Sequence, residues 1–172
     1  MRKTAYLVAA LALSGTAANA AENPLAPMSP WAGHCWKGVF ADGKQTDTHC
    51  FTWVYQGQVL RDRHVVNNPG KPDYIGETVY FWDSAASKIG FFYYENAGGI
   101  SRGTVEPTAD GLTFPATTYS APGEAMTYRV RWTRQGDQAY EAWSEAQAGD
   151  KWVTMFKMTL KAEPTSPQPS PP

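Results

Sequence analysis

Short runs of strand-forming residues alternate with turn residues along most of this chain. The runs are rich in Val, Thr, Tyr, Phe and Trp, and Gly, Asn, Asp and Pro separate them. This alternation is typical of β-strands joined by tight turns. The pattern predicts ten strands, over residues 35–41, 48–55, 58–66, 74–82, 88–95, 100–106, 111–114, 125–134, 138–146 and 152–161.

The connections between these predicted strands are short, so successive strands are expected to be antiparallel neighbours. An open sheet of ten strands would expose two edges, and closure into a barrel removes them. The sequence therefore predicts an all-β fold, an antiparallel up-and-down meander closed into a β-barrel of about ten strands. Side chains do not easily fill a barrel of this size, so an internal cavity is expected. A barrel packed solid with aromatic side chains is the alternative.

The two ends of the chain depart from the strand pattern. Residues 1–20 combine a basic start, a short apolar run and the small-x-small site Ala18-Asn19-Ala20, as in a signal peptide. A periplasmic or secreted protein is therefore expected. Residues 21–30 contain three prolines and predict an extended lead-in to a barrel domain over 31–162. Residues 163–172 are rich in proline and predict a disordered tail.

Charge narrows the set of possible partners. Removing Arg2 and Lys3 with the signal peptide leaves 13 of the 15 basic residues against 16 acidic ones, a net charge of −3. This balance does not provide the basic surface expected for binding nucleic acid or anionic lipid. The apolar run near the start is too short to span a bilayer, so no membrane insertion is expected. The expected partner is a small apolar molecule, and the protein is expected to be a monomer.

The Asp42-Gly43 turn sets the register of the first predicted hairpin. Asp-Gly between two apolar runs is a strong hairpin signal. Counting outward from it places Cys35 opposite Cys50, and Trp36 opposite His49. Directly opposed cysteines lie within reach of a disulfide, and two cysteines in an exported chain favour one. The sequence therefore predicts a Cys35–Cys50 disulfide, with two free thiols as the alternative.

The Gln56-Gly57 turn brings the histidines of the chain together. Counting outward from it places His49 opposite His64, with His34 and Asp62 at neighbouring or diagonal positions. Three imidazoles and a carboxylate are a possible zinc or copper ligand set. The same cluster could be a pH-sensitive group or a set of solvated polar side chains. No recognised metal-binding spacing such as HExxH occurs, so no cofactor is predicted.

This register also collects aromatic side chains on one face of the first strands. The opposite face carries Lys37, Arg61 and Arg63, which suits solvent, although a buried arginine holding a ligand carboxylate is an alternative. Later in the chain, a two-residue turn at Gly136-Asp137 would place Trp143 beside Val130. These faces predict a ligand pocket lined by Trp36, Phe40, Phe51, Trp53, Tyr55, Asp62, His64, Tyr128, Trp132 and Trp143.

Catalytic motifs are scarce. No Gly-x-Ser-x-Gly elbow, P-loop or dinucleotide fingerprint occurs in the sequence. Glu141 and Glu145 share a predicted strand, but four strand residues separate their Cα atoms by ~13 Å, too far for a glycosidase pair. An enzyme is therefore not favoured, and no catalytic residue is assigned.

The first predicted strand contains the motif Gly33-His34-Cys35-Trp36-Lys37-Gly38. The strand layout and this motif resemble calycin-type barrels, a group that includes lipocalins, fatty-acid-binding proteins and nitrobindin-like domains. They also resemble small exported bacterial barrels with a Trp-x-Gly start. Lipocalins carry Gly-x-Trp here, whereas this chain has Gly-x-x-Trp. The resemblance implies a small apolar ligand. Nitrobindin-like domains bind haem through a histidine on a late strand, and no histidine follows His64 here.

The sequence thus favours an exported small-molecule-binding barrel with an aromatic-lined pocket. The first alternative is a metal-binding protein or hydrolytic enzyme that uses the histidine cluster and its aspartate. The second alternative is a non-catalytic structural or interaction module with a filled core.

Overall fold

The computed structural model describes residues 23–164. The signal peptide predicted over residues 1–20 and nearly all of the tail predicted over 163–172 lie outside the described residues. Within residues 23–164, no helix has the length and apolarity needed to span a membrane.

Ten antiparallel strands close into one barrel. Each strand pairs with the next along the chain, and the last pairs with the first. The predicted fold class is therefore confirmed. The strands are β1 (Cys35–Val39), β2 (Thr46–Val54), β3 (Val59–Asn67), β4 (Tyr74–Asp83), β5 (Lys88–Glu95), β6 (Ile100–Pro107), β7 (Gly111–Ala121), β8 (Glu124–Arg134), β9 (Ala139–Ala148) and β10 (Lys151–Ala162). Short 3-10 helices span Ala26–Met28 and Tyr55–Gly57.

The first two hairpins have the predicted register. Cys35 pairs with Cys50, and His49 pairs with Trp36 on one side and with His64 on the other. Both turns are wider than two residues, but they widen symmetrically and so leave the pairing unchanged. The predicted Cys35–Cys50 disulfide is present, and that prediction is confirmed.

Side chains alternate between the barrel interior and solvent, as the pleat of a strand requires. On the outer face of β1 and β3, Lys37, Arg61 and Arg63 are exposed. Neither arginine is therefore available inside the barrel to hold a ligand carboxylate. The interior is dominated by aromatic and aliphatic side chains, among them Trp36, Phe51, Leu60, Tyr80, Phe91, Leu112, Phe114, Trp132, Tyr140, Met158 and Leu160.

The register of β8 and β9 differs from the prediction by one residue. The turn was predicted to have two residues, Gly136-Asp137, but it contains three, residues 136–138. Trp132 consequently pairs with Ala142. Because a shift of one residue moves a side chain to the other face of a sheet, Trp143 lies on the outside of the barrel.

Two bulges account for the other differences in the strands. β7 continues past the predicted segment 111–114, and the chain bulges at Pro115. A bulged residue makes no hydrogen bond in the ladder, so the missing N–H of proline does not end the strand. A bulge in β10 shifts the pairing with β9, so that Phe156 pairs with Ser144. Counting outward from the Gly149-Asp150 turn without a bulge would instead place Trp143 opposite Phe156.

Residues 23–33 close one end of the barrel. They form turns and a short helix, whereas an extended lead-in was predicted over residues 21–30. The reason is apolar burial, since Leu25, Met28 and Trp31 are each at most 2% exposed. The segment is therefore part of the hydrophobic core, and it forms a plug beneath the barrel.

Candidate functional site

A cavity of about 380 Å³ lies inside the barrel, towards the end opposite the plug. Its walls come from β2–β5 and β7–β10, together with Phe40 just after β1. The exposed residue Glu124 belongs to its lining, so the cavity reaches solvent at that end. Most of the wall is aromatic or aliphatic, with Tyr80, Phe91, Phe114, Val130, Met158 and Leu160 among the lining residues.

Five of the ten residues predicted for the pocket line this cavity, namely Phe40, Asp62, His64, Tyr128 and Trp132. They come from β3, from β8 and from the residue that follows β1, and closure of the barrel brings them around one space. The aromatic members supply apolar area, while the carboxyl and imidazole groups provide a polar part of the wall.

The structure corrects the placement of the other five, because Trp36, Phe51, Trp53, Tyr55 and Trp143 do not line the cavity. Trp36 and Phe51 are buried in the core, and Trp53 packs against it. Tyr55 is 78% exposed and lies in the connection between β2 and β3, outside the strands. Trp143, on the outer face, lies against the cationic groups of neighbouring strands.

One wall of the cavity is a hydrogen-bonded group of aspartates and histidines. Asp47 and His49 project from the same face of β2, and His64 lies opposite on β3. The Nδ1 atom of His49 is 2.8 Å from Asp62 Oδ2, and its Nε2 atom is 3.2 Å from Asp47 Oδ2. The Nδ1 atom of His64 is 3.3 Å from Asp47 Oδ1. The two imidazole rings stack with centroids 4.7 Å apart.

In this group, the carboxylates and the imidazoles stabilise each other's charged forms. Burial opposes protonation of His49, but the carboxylates of Asp62 and Asp47 outweigh it and raise the pKa of this imidazole well above its ordinary value. Burial also disfavours the charged form of Asp47, yet the imidazoles of His49 and His64 hold its pKa well below the usual range. Because both ring nitrogens of His49 face carboxylates, both can donate only when the ring is protonated.

A row of tyrosines continues the hydrogen bonding from His64. Its Nε2 atom is 3.2 Å from the hydroxyl of Tyr93, which is itself hydrogen bonded to the hydroxyl of Tyr74. Burial is the largest cause that raises the pKa of both phenols, so both are neutral at physiological pH. Tyr93 can therefore accept from His64 while it donates to its neighbour.

Gly76 creates the space that this arrangement needs. It pairs directly with His64 across β3 and β4. A Cβ atom at residue 76 would lie 2.2 Å from His64 Nε2 and 2.7 Å from Cε2 of Tyr93. Such separations are too short for any side chain, so only glycine allows the imidazole and the phenol to meet here.

We expect the substitution Gly76→Ala to lower the free energy of unfolding by about 1–3 kcal/mol, because the added methyl group must displace a packed ring. Urea unfolding followed by circular dichroism measures this. Gly90→Ala is the matched control, since its methyl group would meet only the ring edge of Phe81 on the outer face, at 2.8 Å. Equal stability of the Gly76→Ala variant and the parent protein would contradict the packing argument.

Asp62 contains an unpaired buried atom. Its side chain is 1% exposed, and its Oδ1 atom has no hydrogen-bond partner among residues 23–164. A buried acceptor without a partner costs about 1–3 kcal/mol. Because Asp62 belongs to the cavity lining, a donor group of a bound molecule could supply the missing hydrogen bond.

The histidine cluster differs in membership from the one predicted. His34 is not part of it, because its ring packs against Trp36 at a centroid distance of 5.7 Å, outside the cavity lining. Asp47 is part of it, although this residue was not among the candidates predicted from the sequence. The available signal was its position two residues before His49, which places both side chains on one face of a strand.

Comparison of the sequence with protein-family models finds no match, and none of the curated proteins matches it either. The class of protein is therefore defined by the fold and the site alone. It is a closed ten-stranded antiparallel barrel with a plugged end, an apolar cavity and a polar cluster of histidine and aspartate in the cavity wall.

Proposed function

We propose that this protein is an exported, calycin-like barrel that binds a small, mostly apolar molecule in its cavity. The observation that carries the proposal is the cavity itself, about 380 Å³ in volume and lined largely by aromatic and aliphatic side chains. Pockets for small molecules range from about 300 to 1,000 Å³. The volume corresponds to about a dozen water molecules, so the ligand is compact.

The polar part of the wall indicates what the ligand carries besides its apolar body. The unpaired Oδ1 atom of Asp62 favours a hydrogen-bond donor such as a hydroxyl or amine group. A ligand carboxylate is disfavoured there, because it would face Asp47 and Asp62. The proposed ligand therefore combines an apolar body with a donor group at one end.

The compartment and the fold support this assignment. A disulfide joins Cys35 to Cys50, and such bonds persist in oxidising compartments such as the periplasm or the extracellular space. A ten-stranded up-and-down barrel with an internal cavity is also the architecture that the calycin resemblance implies. A structural module with a completely filled core is less compatible with the cavity.

Tryptophan fluorescence provides a direct test, because Trp132 lines the cavity whereas Trp36, Trp53 and Trp143 do not. The mature protein is titrated with compounds that share one apolar body and differ in a hydroxyl, amine or carboxylate head group. We expect the hydroxyl or amine compounds to bind and to change the fluorescence. The substitution Trp132→Phe should remove most of this change while calorimetry still detects binding.

Two neighbouring substitutions, one inside the cavity and one outside the barrel, provide a matched test of ligand binding. Ser144 faces the cavity, and Trp143 beside it faces outward. We expect Ser144→Phe to weaken binding at least tenfold and Trp143→Phe to leave it unchanged, with circular dichroism confirming that both variants are folded. If none of the compounds binds to the parent protein, or if both variants bind equally, the proposal is wrong.

A further inference from the structure

Independently of the apolar ligand, we propose that Asp47, His49 and His64 bind a divalent transition-metal ion such as Zn²⁺ in the wall of the cavity. One ligand atom from each residue can be chosen so that all three lie within 4.8 Å of one another. The proposal changes the ligand set expected from the sequence, because Asp47 enters it and His34 does not.

The separations within the group suit coordination of one ion. The Asp47 oxygens lie 3.2 Å from His49 Nε2 and 3.3 Å from His64 Nδ1. Two ligands that are each about 2.1 Å from a tetrahedral zinc ion are about 3.4 Å apart. With one ligand atom from each residue, the three atoms lie within 4.8 Å of one another. Their separations therefore need to shorten by at most about 1.4 Å to reach the tetrahedral spacing.

The backbone holds these three side chains in place. Asp47 and His49 are alternate residues of β2, and His64 is the direct cross-strand partner of His49. All three lie on strands in the closed barrel and belong to the cavity lining. Ligands on regular strands are held more rigidly than ligands on loops, and the cavity leaves coordination positions open to a water molecule or a bound compound.

The outer nitrogens of both imidazoles already have the partners that metal-binding histidines usually have. Asp62 accepts from Nδ1 of His49 at 2.8 Å, which turns Nε2 towards Asp47. The hydroxyl of Tyr93 lies 3.2 Å from Nε2 of His64, which turns Nδ1 towards the same carboxylate. Such outer partners hold a ligating ring in orientation and fix its tautomer once the ion has displaced the proton from the inner nitrogen. Their presence on both histidines is the second observation in favour of a metal site.

The ligand types define the class of ion. Two imidazoles and one carboxylate suit zinc and the neighbouring divalent transition metals, whereas calcium and magnesium prefer oxygen ligands alone. A three-ligand site with open positions is the arrangement found in catalytic rather than structural metal centres. The proposal extends to binding only, and it assigns no reaction.

The test is equilibrium dialysis of the mature, tag-free protein against Zn²⁺, with bound metal measured by mass spectrometry. We expect one equivalent of Zn²⁺ per chain. Asp47→Asn and His64→Ala should each weaken binding at least 100-fold, and Asp62→Asn should weaken it about 10- to 100-fold. His34→Ala is the matched control, because that histidine lies outside the cluster, and it should bind as the parent does.

Folding and specificity are checked in the same experiments. Asp47→Asn is nearly isosteric, so this variant should retain the circular dichroism spectrum of the parent. If His64→Ala unfolds, the Asp47→Asn protein still shows whether loss of one ligand weakens Zn²⁺ binding. Absence of Zn²⁺ binding, or binding that persists in folded Asp47→Asn protein, would overturn the proposal. The result is independent of the fluorescence titrations, so failure of the metal site and failure of the apolar pocket are distinguishable.

Discussion

Replacing Trp31 by alanine is expected to lower the free energy of unfolding by about 3–5 kcal/mol, the usual cost of removing a fully buried indole. Trp31 is 2% exposed. Its ring packs against those of Trp132, at 5.8 Å between centroids, and Tyr140, at 6.0 Å. Its carbonyl oxygen accepts a hydrogen bond from Nε1 of Trp36 at 3.1 Å. Through these contacts, Trp31 joins the plug to β1, β8 and β9.

Chemical denaturation of the Trp31→Ala protein measures this effect. Trp143→Ala is the matched control, since it removes an indole of the same size from the outer face, and it should cost much less. Because Trp132 is shared between the plug and the cavity wall, the Trp31→Ala variant should also bind the apolar ligand more weakly. Similar stabilities for the two variants would show that residues 23–33 do not belong to the core.

The first three strands could be predicted well because two turn signals and the strand period agree. Asp42-Gly43 and Gln56-Gly57 both widen symmetrically, so the pairs counted outward from their centres are preserved. The disulfide and the facing of His49 against His64 follow from these pairs. The number of strands, their antiparallel order and closure of the barrel follow from short connections and the cost of free edges.

The later strands could not be placed as well because register depends on single residues. A third residue in the β8–β9 turn moves Trp143 from the inside to the outside. The bulge in β10 then shifts the partner of Phe156. Neither feature has a distinctive local sequence, since a Gly-Asp pair is compatible with turns of two or three residues.

The plug was missed for a different reason. Its three prolines disfavour regular strands, and from the sequence they indicated an extended segment. Burial of Leu25, Met28 and Trp31 depends on the open end of a barrel that forms from residues distant in the sequence. Local propensity cannot report such a tertiary contact.

Removal of the disulfide is expected to lower the free energy of unfolding by about 3 kcal/mol, the chain-entropy value for a loop of this size. Cys35 and Cys50 are 15 residues apart in sequence. The crosslink joins β1 to β2, next to the seam where β1 pairs with β10 and closes the barrel. Within residues 23–164, β1 joins β10 through two residue pairs, Trp36 with Ala162 and Lys37 with Lys161. β1 is therefore held in the barrel mainly by its longer pairing with β2. The disulfide stabilises that pairing.

Thermal unfolding of the Cys35→Ser, Cys50→Ser double variant measures this contribution, and we expect its Tm to fall by about 10 °C. The parent protein with its disulfide reduced is the control for the serine side chains. It should have the same Tm as the double variant. The two samples should keep the parent circular dichroism spectrum at low temperature, since the strand ladder and the plug still hold the barrel closed. A double variant that melts within about 2 °C of the oxidised parent would show that the ten-stranded ladder closes the seam without help from the crosslink.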